Sequence, residues 1–230
     1  MIILCLEILF PVLTNPSTNS KVPPPAGFLF HVMYRYFIIY KPFKVLSQFS
    51  RAEGKQSLAD FFSVPADVYP VGRLDEDSEG LLILTNDKKL NHHLLDPWFN
   101  HEREYWVQVE GAITEQAVTQ LQHGVEINAG NTYYKTKPCM VSVFNVPPIV
   151  PERNPPIRFR INVPDTWISI TLTEGKNRQV RKMCAKVGYP VLRLIRARIE
   201  KIKTGSMQPG DMIELSKPVI YKKLFHGKRI

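Results

Sequence analysis

The amino-acid sequence predicts an α+β fold in which short helices flank a mixed, mostly antiparallel β-sheet. Short apolar runs recur along the chain between short helical patterns, and turn residues separate them. Residues 104–110 and 167–173 alternate between apolar and polar positions, which is typical of half-buried strands. A length of 230 residues allows one substantial core, and the sequence has no repeat period that would indicate a solenoid.

The individual elements follow from their boundaries as well as from their apolar positions. Asn86–Asp87 is a helix cap ahead of one helical pattern, and Thr114 begins another that ends before Gly124. A third pattern, with apolar residues at i, i+3, i+4 and i+7, stops at Gly188. The predicted strands are Phe37–Tyr40, Val68–Val71, Leu81–Thr85, Glu104–Glu110, Val125–Ile127, Pro138–Phe144 and Trp167–Thr173. The predicted helices are Leu58–Phe62, Lys88–Leu95, Thr114–His123 and Asn177–Val187.

The two ends of the chain differ from its centre. Residues 1–32 begin with a short apolar run that lacks a basic flank and end in a proline-rich connector. We expect this extension to be disordered or to result from a mis-assigned start; a membrane anchor is the alternative, although the run is too short to span a bilayer. We expect one folded domain over residues 33–222 and a basic tail over 223–230.

The charge of the chain is strongly basic and unevenly placed. The formal net charge is +9, which favours a polyanionic partner such as nucleic acid. The stretch from Lys176 to Lys203 contains ten Lys and Arg residues, and Glu200 is its one acidic residue. We therefore predict a nucleic-acid-binding surface there; a merely solvated charged face is the alternative.

The cysteine and histidine residues do not predict a metal site. Cys5, Cys139 and Cys184 have neither metal-ligand spacing nor the even number of a disulfide framework, so a reducing cytoplasm is expected. Cys184 lies on the apolar side of its predicted helix and should be buried. His92–His93 has no further ligand at helical spacing, so we expect no metal.

A charged loop lies between two predicted strands. Gly72 opens a turn, and five charged residues follow within seven positions before the next apolar run begins at Leu81. Because core strands hold both ends, such a loop can be rigid enough to position catalytic groups. A simple strand-turn-strand connection whose charges face water is equally compatible with the spacing.

Four segments of the chain combine charged or aromatic residues with apolar runs in a distinctive order: Tyr40–Pro42, Gly72–Leu82, Glu104–Gly111 and Glu174–Met183. In order and spacing they resemble motifs of the bacterial ribosomal RNA pseudouridine synthases. The resemblance covers about residues 35–215, and Asn154–Arg158 with Thr166–Trp167 is similar to the branch that modifies large-subunit RNA. It implies the pseudouridine synthase fold with no separate N-terminal RNA-binding domain, since residues 1–32 are neither long nor basic enough to form one.

The resemblance implies the site-specific isomerisation of uridine to pseudouridine in 23S ribosomal RNA, without a metal or another cofactor. It assigns Asp75 as the nucleophile, although Asp77 competes on spacing alone. It implies that Arg181 pairs with Asp75 and that Tyr105 stacks on the flipped uracil. A catalytically inactive RNA-binding or ribosome-assembly protein of the same fold is the alternative.

Several basic residues are candidates for RNA contact. The resemblance implies that Arg73, next to the nucleophile, fills the space that a flipped uridine leaves. We expect large-subunit ribosomal RNA as the partner, no membrane, and a monomer in the cytoplasm. The candidates for contact with the RNA backbone are Lys176, Arg178, Lys182, Lys186 and, less strongly, Lys41 and the segment Arg153–Arg160.

Overall fold

A nine-stranded mixed sheet with helices packed against it forms the centre of the computed structural model, which describes residues 33–128, 130, 132–157 and 163–225. The expectation for residues 1–32 lies outside the described residues. The strands are β1 (Tyr36–Lys41), β2 (Val45–Leu46), β3 (Gln56–Ser57), β4 (Tyr69–Pro70), β5 (Glu79–Thr85), β6 (Arg103–Glu110), β7 (Glu126–Asn128), β8 (Tyr133–Lys135), β9 (Met140–Val143), β10 (Asp165–Leu172), β11 (Val191–Ile199), β12 (Ile202–Lys203) and β13 (Met212–Glu214). The helices are α1 (Lys88–Leu95), α2 (Glu115–Gln122), α3 (Gln179–Lys186) and α4 (Lys217–Phe225).

The main sheet has the strand order β13-β1-β5-β11-β6-β10-β9, with β4 paired to β5 and β12 paired to β11. Its strands run antiparallel to their neighbours except where β11 meets β5 in parallel. The prediction of an α+β fold with a mostly antiparallel sheet is therefore confirmed.

The core lies on both faces of the sheet. All six residues of β1 and all seven of β5 are buried. Because successive strand residues point to opposite faces, Ile38 packs with Leu90 and Ile220 on one side, while Phe37 packs with Leu58 on the other. Burial on both faces explains why these strands are nearly continuous apolar runs.

Two predicted caps are present and define the helices that they begin. The Asp87 carboxylate accepts hydrogen bonds from the backbone N–H groups of Lys89 and Leu90 at the start of α1. The Thr114 hydroxyl accepts one from the Ala117 N–H at the start of α2. The predicted helix at Leu58–Phe62 is a 3-10 turn that spans Leu58–Asp60.

The last part of the chain was not predicted. Strand β11 occupies the middle of the sheet, and α4 packs Ile220, Leu224 and Phe225 against the core. The folded part thus extends at least to Phe225, beyond the boundary expected at residue 222. Among the described helices, none is both long and apolar enough to cross a membrane.

Candidate active site

A cleft of about 640 Å³ opens where the charged loop between β4 and β5 faces strands β6 and β11. The segment that joins β10 to α3 closes it from another side. Asp75 and Tyr105, two predicted catalytic residues, both line this cleft, as do Arg73, Lys176 and Arg178. Five of the residues predicted to form the site therefore line the same cleft.

The sheet register sets the floor of the cleft. Gly80 of β5 pairs with Arg196 of β11, and Arg196 in turn pairs with Tyr105 of β6. Gly80 has φ +99°, and a Cβ there would lie 2.5 Å from the Arg196 carbonyl oxygen. Only glycine allows this approach of β5 to β11, which brings the loop before β5 close to Tyr105.

The backbone beside Asp75 is fixed by a single serine. The Ser47 hydroxyl accepts a hydrogen bond from the Leu74 N–H at 3.0 Å and donates one to the Leu74 carbonyl at 2.7 Å. Ser47 and Leu74 are buried, and the Ser78 N–H donates to the Asp75 carbonyl at 3.0 Å. The loop is therefore rigid around Asp75, as the interpretation of a positioned loop requires.

Asp75 and Asp77 lie in different environments. Both Asp77 carboxylate oxygens accept hydrogen bonds from the Arg178 guanidinium, at 2.9 and 2.7 Å. Burial alone would raise the pKa of Asp77, but these bonds and the charge of Arg181 outweigh it and lower that pKa. The Asp75 carboxylate is 3.7 Å from Arg178. The two aspartate side chains are similarly exposed, at 30% for Asp75 and 37% for Asp77, but Asp75 lines the cleft and Asp77 is not among its lining residues. Asp75 is thus the carboxylate that is held near a cation yet open to a ligand.

The expected pairing of Arg181 with Asp75 is wrong. Arg181 places its Nε 3.3 Å from the Asp77 carboxylate and donates from Nη2 to the Asp77 carbonyl. Its Nη1 donates to the Val191 carbonyl at 3.4 Å. The carboxylate that Arg181 contacts is thus two residues further along the loop than the resemblance implied. Arg178, expected to contact phosphate, is the arginine nearer to Asp75.

The expected contact of Lys41 with RNA is also wrong in this structure. Lys41 is fully buried, and its ammonium donates to the carbonyls of Pro42 and Val45 at 2.8 Å and of Glu76 at 3.4 Å. Burial lowers the pKa of Lys41 to about 8, although nearby carboxylates such as Glu79 oppose the shift. Lys41 therefore joins the turn between β1 and β2 to the charged loop.

The other predicted RNA-binding residues lie on the surface. Arg73 and Lys176 are exposed and line the cleft, and the Lys176 ammonium lies 4.5 Å from the centre of the Tyr134 ring. On α3, Lys182 is half-buried and Lys186 is exposed. Their positions are compatible with contact to RNA, which stays a prediction.

The basic stretch from Lys176 to Lys203 is only partly a surface. Arg193 is buried and donates to both carboxylate oxygens of buried Glu79, at 2.9 and 2.7 Å. Arg198 donates to Glu104 at 2.7 Å and to Glu102 at 3.0 Å. The prediction of a nucleic-acid-binding surface is therefore wrong for β11, because Arg193 and Arg198 form ion pairs with carboxylates of the protein itself.

Two residues of the site were missed. Arg196 is buried beside Tyr105 and donates to the Leu81 carbonyl; burial lowers the pKa of Arg196, and Tyr105 opposes that shift. Glu174 is buried in the cleft wall and accepts hydrogen bonds from the Tyr134 hydroxyl, the Lys137 N–H and the Gln179 amide. Glu174 thus joins β8 to the start of α3. The sequence feature that could have indicated Glu174 is that it is the one acidic residue in the basic segment Glu174–Met183, which it begins.

Other residues named in the sequence analysis lie away from the cleft. Cys184 is buried as predicted, and burial raises the pKa of its thiol to about 12. Arg153 lies 4.3 Å from the centre of the Phe43 ring and donates to the Pro155 carbonyl; Arg158 and Arg160 lie outside the described residues. Within the described ranges, no three His, Cys, Asp or Glu residues are grouped to hold a metal ion.

Comparison with known proteins shows which proteins the chain is similar to. A family model described as RNA pseudouridylate synthase matches residues 35–186. The chain is 48% identical over 181 residues to the ribosomal large subunit pseudouridine synthase E of Vibrio parahaemolyticus, covering 79% of this chain and 74% of that protein. It is 46% identical over 174 residues to the protein of the same name from Xanthomonas axonopodis pv. citri, covering 75% and 89%. The ribosomal large subunit pseudouridine synthase B of Bacillus subtilis is 31% identical over 198 residues, covering 84% and 74%.

A solved structure has the same fold. The crystal structure of a pseudouridylate synthase superposes with a TM-score of 0.68 at 23% identity, covering 84% of this chain and 74% of that chain. At this level of identity, the likeness concerns the fold alone.

Proposed function

The chain belongs to the family of RNA pseudouridylate synthases, and we propose that it isomerises uridine to pseudouridine in the 23S RNA of the large ribosomal subunit. The large-subunit specificity is supported by relatives of 46–48% identity that carry this activity in their names. The Lys182 and Lys186 side chains of α3 offer positive charge to a polyanionic substrate.

Asp75 is the proposed nucleophile. The reaction breaks the bond from uracil N1 to ribose C1′, turns the base, and joins C5 to C1′ while the C5 hydrogen leaves. A carboxylate that attacks must be ionised and reachable, and Asp75 lies 3.7 Å from Arg178 while lining the cleft. The single observation that carries this assignment is that both carboxylate oxygens of Asp77 accept hydrogen bonds from Arg178, whereas Asp75 lines the cleft.

Tyr105 and Arg73 are proposed to hold the flipped nucleotide. A uridine inside folded RNA must leave its stack, at a cost of a few kcal/mol, before a side chain can reach it. Tyr105 offers an aromatic face from the floor of the cleft, and exposed Arg73 lies beside the nucleophile to occupy the vacated space. We propose that Arg181 contributes indirectly, because it holds Asp77 and the loop backbone.

We also propose that the protein acts as a monomer in the cytoplasm. The free thiols of Cys139 and Cys184 are compatible with a reducing compartment, and ribosomal RNA is made there. Sedimentation of the purified protein with and without RNA tests the monomer.

Release of tritium tests the proposed activity directly. RNA that carries tritium at C5 of uridine should lose it to water when the C5–C1′ bond forms, and the released amount should equal the pseudouridine mapped in the product. The substrates are transcribed 23S RNA and the precursor particle. If the wild-type protein binds these RNAs yet releases no tritium above background, the activity is absent and the inactive-binder alternative is correct.

A further inference from the structure

An exposed tryptophan lies directly beside the cleft and has no role in the proposed chemistry. Pro97–Phe99 forms a 3-10 turn after α1, and Trp98 is 83% exposed. Leu95, Asp96 and Pro97, which precede it, line the cleft. Tryptophan is seldom this exposed on a soluble protein. Leu95 and Phe99 beside it are also exposed, at 45% and 39%, so the turn presents an apolar patch at the edge of the cleft, and such patches mark interaction sites.

The turn that carries Trp98 is braced on both sides. The Asp96 carboxylate accepts a hydrogen bond from the Trp98 N–H at 2.9 Å, and the Asn100 amide donates to the Trp98 carbonyl at 3.1 Å. The neighbouring Phe99 ring stacks on His93 with ring centres 3.6 Å apart. Because the backbone is already fixed, little conformational entropy would be lost when a ligand covers the indole.

The turn is also joined to the loop that carries the proposed nucleophile. A Cβ on Gly72 would lie 2.9 Å from a terminal methyl of Leu95, so the end of α1 packs against the start of the charged loop. On the other side, the Lys137 ammonium donates to the Asn100 side chain at 3.0 Å and brings a positive charge to the same turn. An exposed indole on a turn that also holds the Lys137 charge, next to a nucleotide-sized cleft, matches single-stranded RNA better than an apolar protein surface.

We infer that Trp98 is a stacking platform for a base of the substrate RNA that flanks the target uridine. This inference rests on the proposed function. When one uridine leaves the stack, its neighbours lose a stacking partner, and a rigid indole beside the cleft replaces it. The contact recognises the π-face of a base, so it adds affinity and holds the flanking strand in place without selecting a sequence.

Three variants test the platform. Trp98→Ala should weaken binding to a 23S RNA fragment that the wild type binds by about 5- to 150-fold, the range expected when one base–aromatic stack is lost. Trp98→Phe keeps a flat ring and should bind within about threefold of wild type. Phe61→Ala, at an aromatic residue that is 38% exposed and lines a separate depression with Phe49 and Val64, should leave affinity unchanged.

Two further readouts distinguish stacking from other roles. Stacking releases no counterions, so Trp98→Ala should lower affinity at every salt concentration without changing the slope of log affinity against log salt. The indole of Trp98 should be quenched by acrylamide in the free protein and protected in the complex, a change that the Trp98→Phe protein lacks.

The contrary outcomes are equally definite. Unchanged affinity in Trp98→Ala, or equal losses in the Ala and Phe variants, would overturn the stacking role. Unchanged RNA affinity with an altered sedimentation coefficient of the free protein would instead assign Trp98 to contact between two copies of the chain. Failure of the proposed function is a separate result, because it is the absence of tritium release by wild type, whereas these tests measure binding.

Discussion

The lysines of α3 and the arginines of β11 belong to one basic stretch of sequence, yet their environments are opposite. Lys186 is exposed on the outer side of α3, whereas Arg193 is buried in the sheet against Glu79. Arg198 is likewise paired, with Glu102 and Glu104. The comparison shows that the net charge of a sequence segment does not measure the positive charge that the protein surface offers to RNA. Part of the charge is neutralised by ion pairs within the protein.

A similar contrast separates the basic residues at the start of α3 from those further along it. Arg178, the residue before α3, and Arg181 both lie within ion-pair distance of the Asp77 carboxylate. Lys182 is half-buried and Lys186 is exposed. The basic residues that hold Asp77 therefore differ from those proposed to contact phosphate, and mutations should separate the two groups.

The largest expected effect is on stability. Arg193→Ala should lower the free energy of unfolding by about 3–5 kcal/mol, because it leaves the buried Glu79 carboxylate without a partner. For a chain of this length, the melting temperature should fall by on the order of 10 °C. Urea denaturation measures the change.

Two controls sharpen that experiment. Lys186→Ala should change the free energy of unfolding by less than about 0.5 kcal/mol, since its side chain is exposed. Replacing both partners, with Glu79→Gln and Arg193→Met, should cost less than Arg193→Ala alone, because no unpaired charge stays buried. Equal destabilisation by Arg193→Ala and Lys186→Ala would refute the contrast between the two regions.

The next effect is on the reaction rate. Arg181→Ala should reduce the single-turnover rate about 100-fold, since a displaced loop misplaces the nucleophile. The affinity for RNA and its salt dependence should barely change. Arg181→Lys should recover little, because one ammonium cannot reach the Asp77 carboxylate, the Asp77 carbonyl and the Val191 carbonyl together. If Arg181→Ala lowers the salt slope and leaves the rate intact, Arg181 contacts phosphate.

A third effect is a pH dependence of stability that arises from Lys41. With its pKa lowered to about 8 by burial, folded Lys41 has lost its proton between about pH 8 and 10.5, whereas the unfolded chain still holds one. The free energy of unfolding should therefore rise with pH across this window, by up to about 1.4 kcal/mol per pH unit, relative to a Lys41→Met protein. Urea denaturation of both proteins from pH 7 to 10 tests it; parallel profiles would contradict the shift.

The smallest effect is expected on the outer side of α3. Lys182→Ala and Lys186→Ala should each weaken RNA binding modestly and reduce the salt slope by about one unit, as the loss of one phosphate contact does. The single-turnover rate at saturating RNA should stay at the wild-type value. A salt slope that neither variant changes would show that RNA binds elsewhere.

The fold could be predicted where the signal was local. Caps at Asp87 and Thr114 and the apolar runs of β1 and β5 depend on neighbouring residues, and all four are present. Strand β11 was missed because its arginines resemble a basic surface. Their partners lie on other strands, and Glu79 is 114 positions from Arg193 in the sequence.

The site shows the same limit. The resemblance placed Asp75, Tyr105 and Arg73 at one cleft, where the structure has them. It did not indicate that Lys41 is buried among backbone carbonyls, or that Arg181 contacts Asp77 instead of Asp75. Residue types at a given spacing predict which segments of the chain lie close together. Which oxygen atom each Lys or Arg side chain contacts depends on the three-dimensional path of the loop.

The contrast between Asp75 and Asp77 is the central claim, and one comparison of single-turnover tritium release tests it most directly. Asp75→Asn is nearly isosteric and should abolish release while the melting temperature and RNA affinity are kept. Asp77→Asn loses its ion pairs with Arg178 and Arg181, so it should slow release about 10- to 100-fold through a less ordered loop, yet leave it measurable. Measurable release by Asp75→Asn together with none by a folded Asp77→Asn protein would contradict the assignment and make Asp77 the nucleophile.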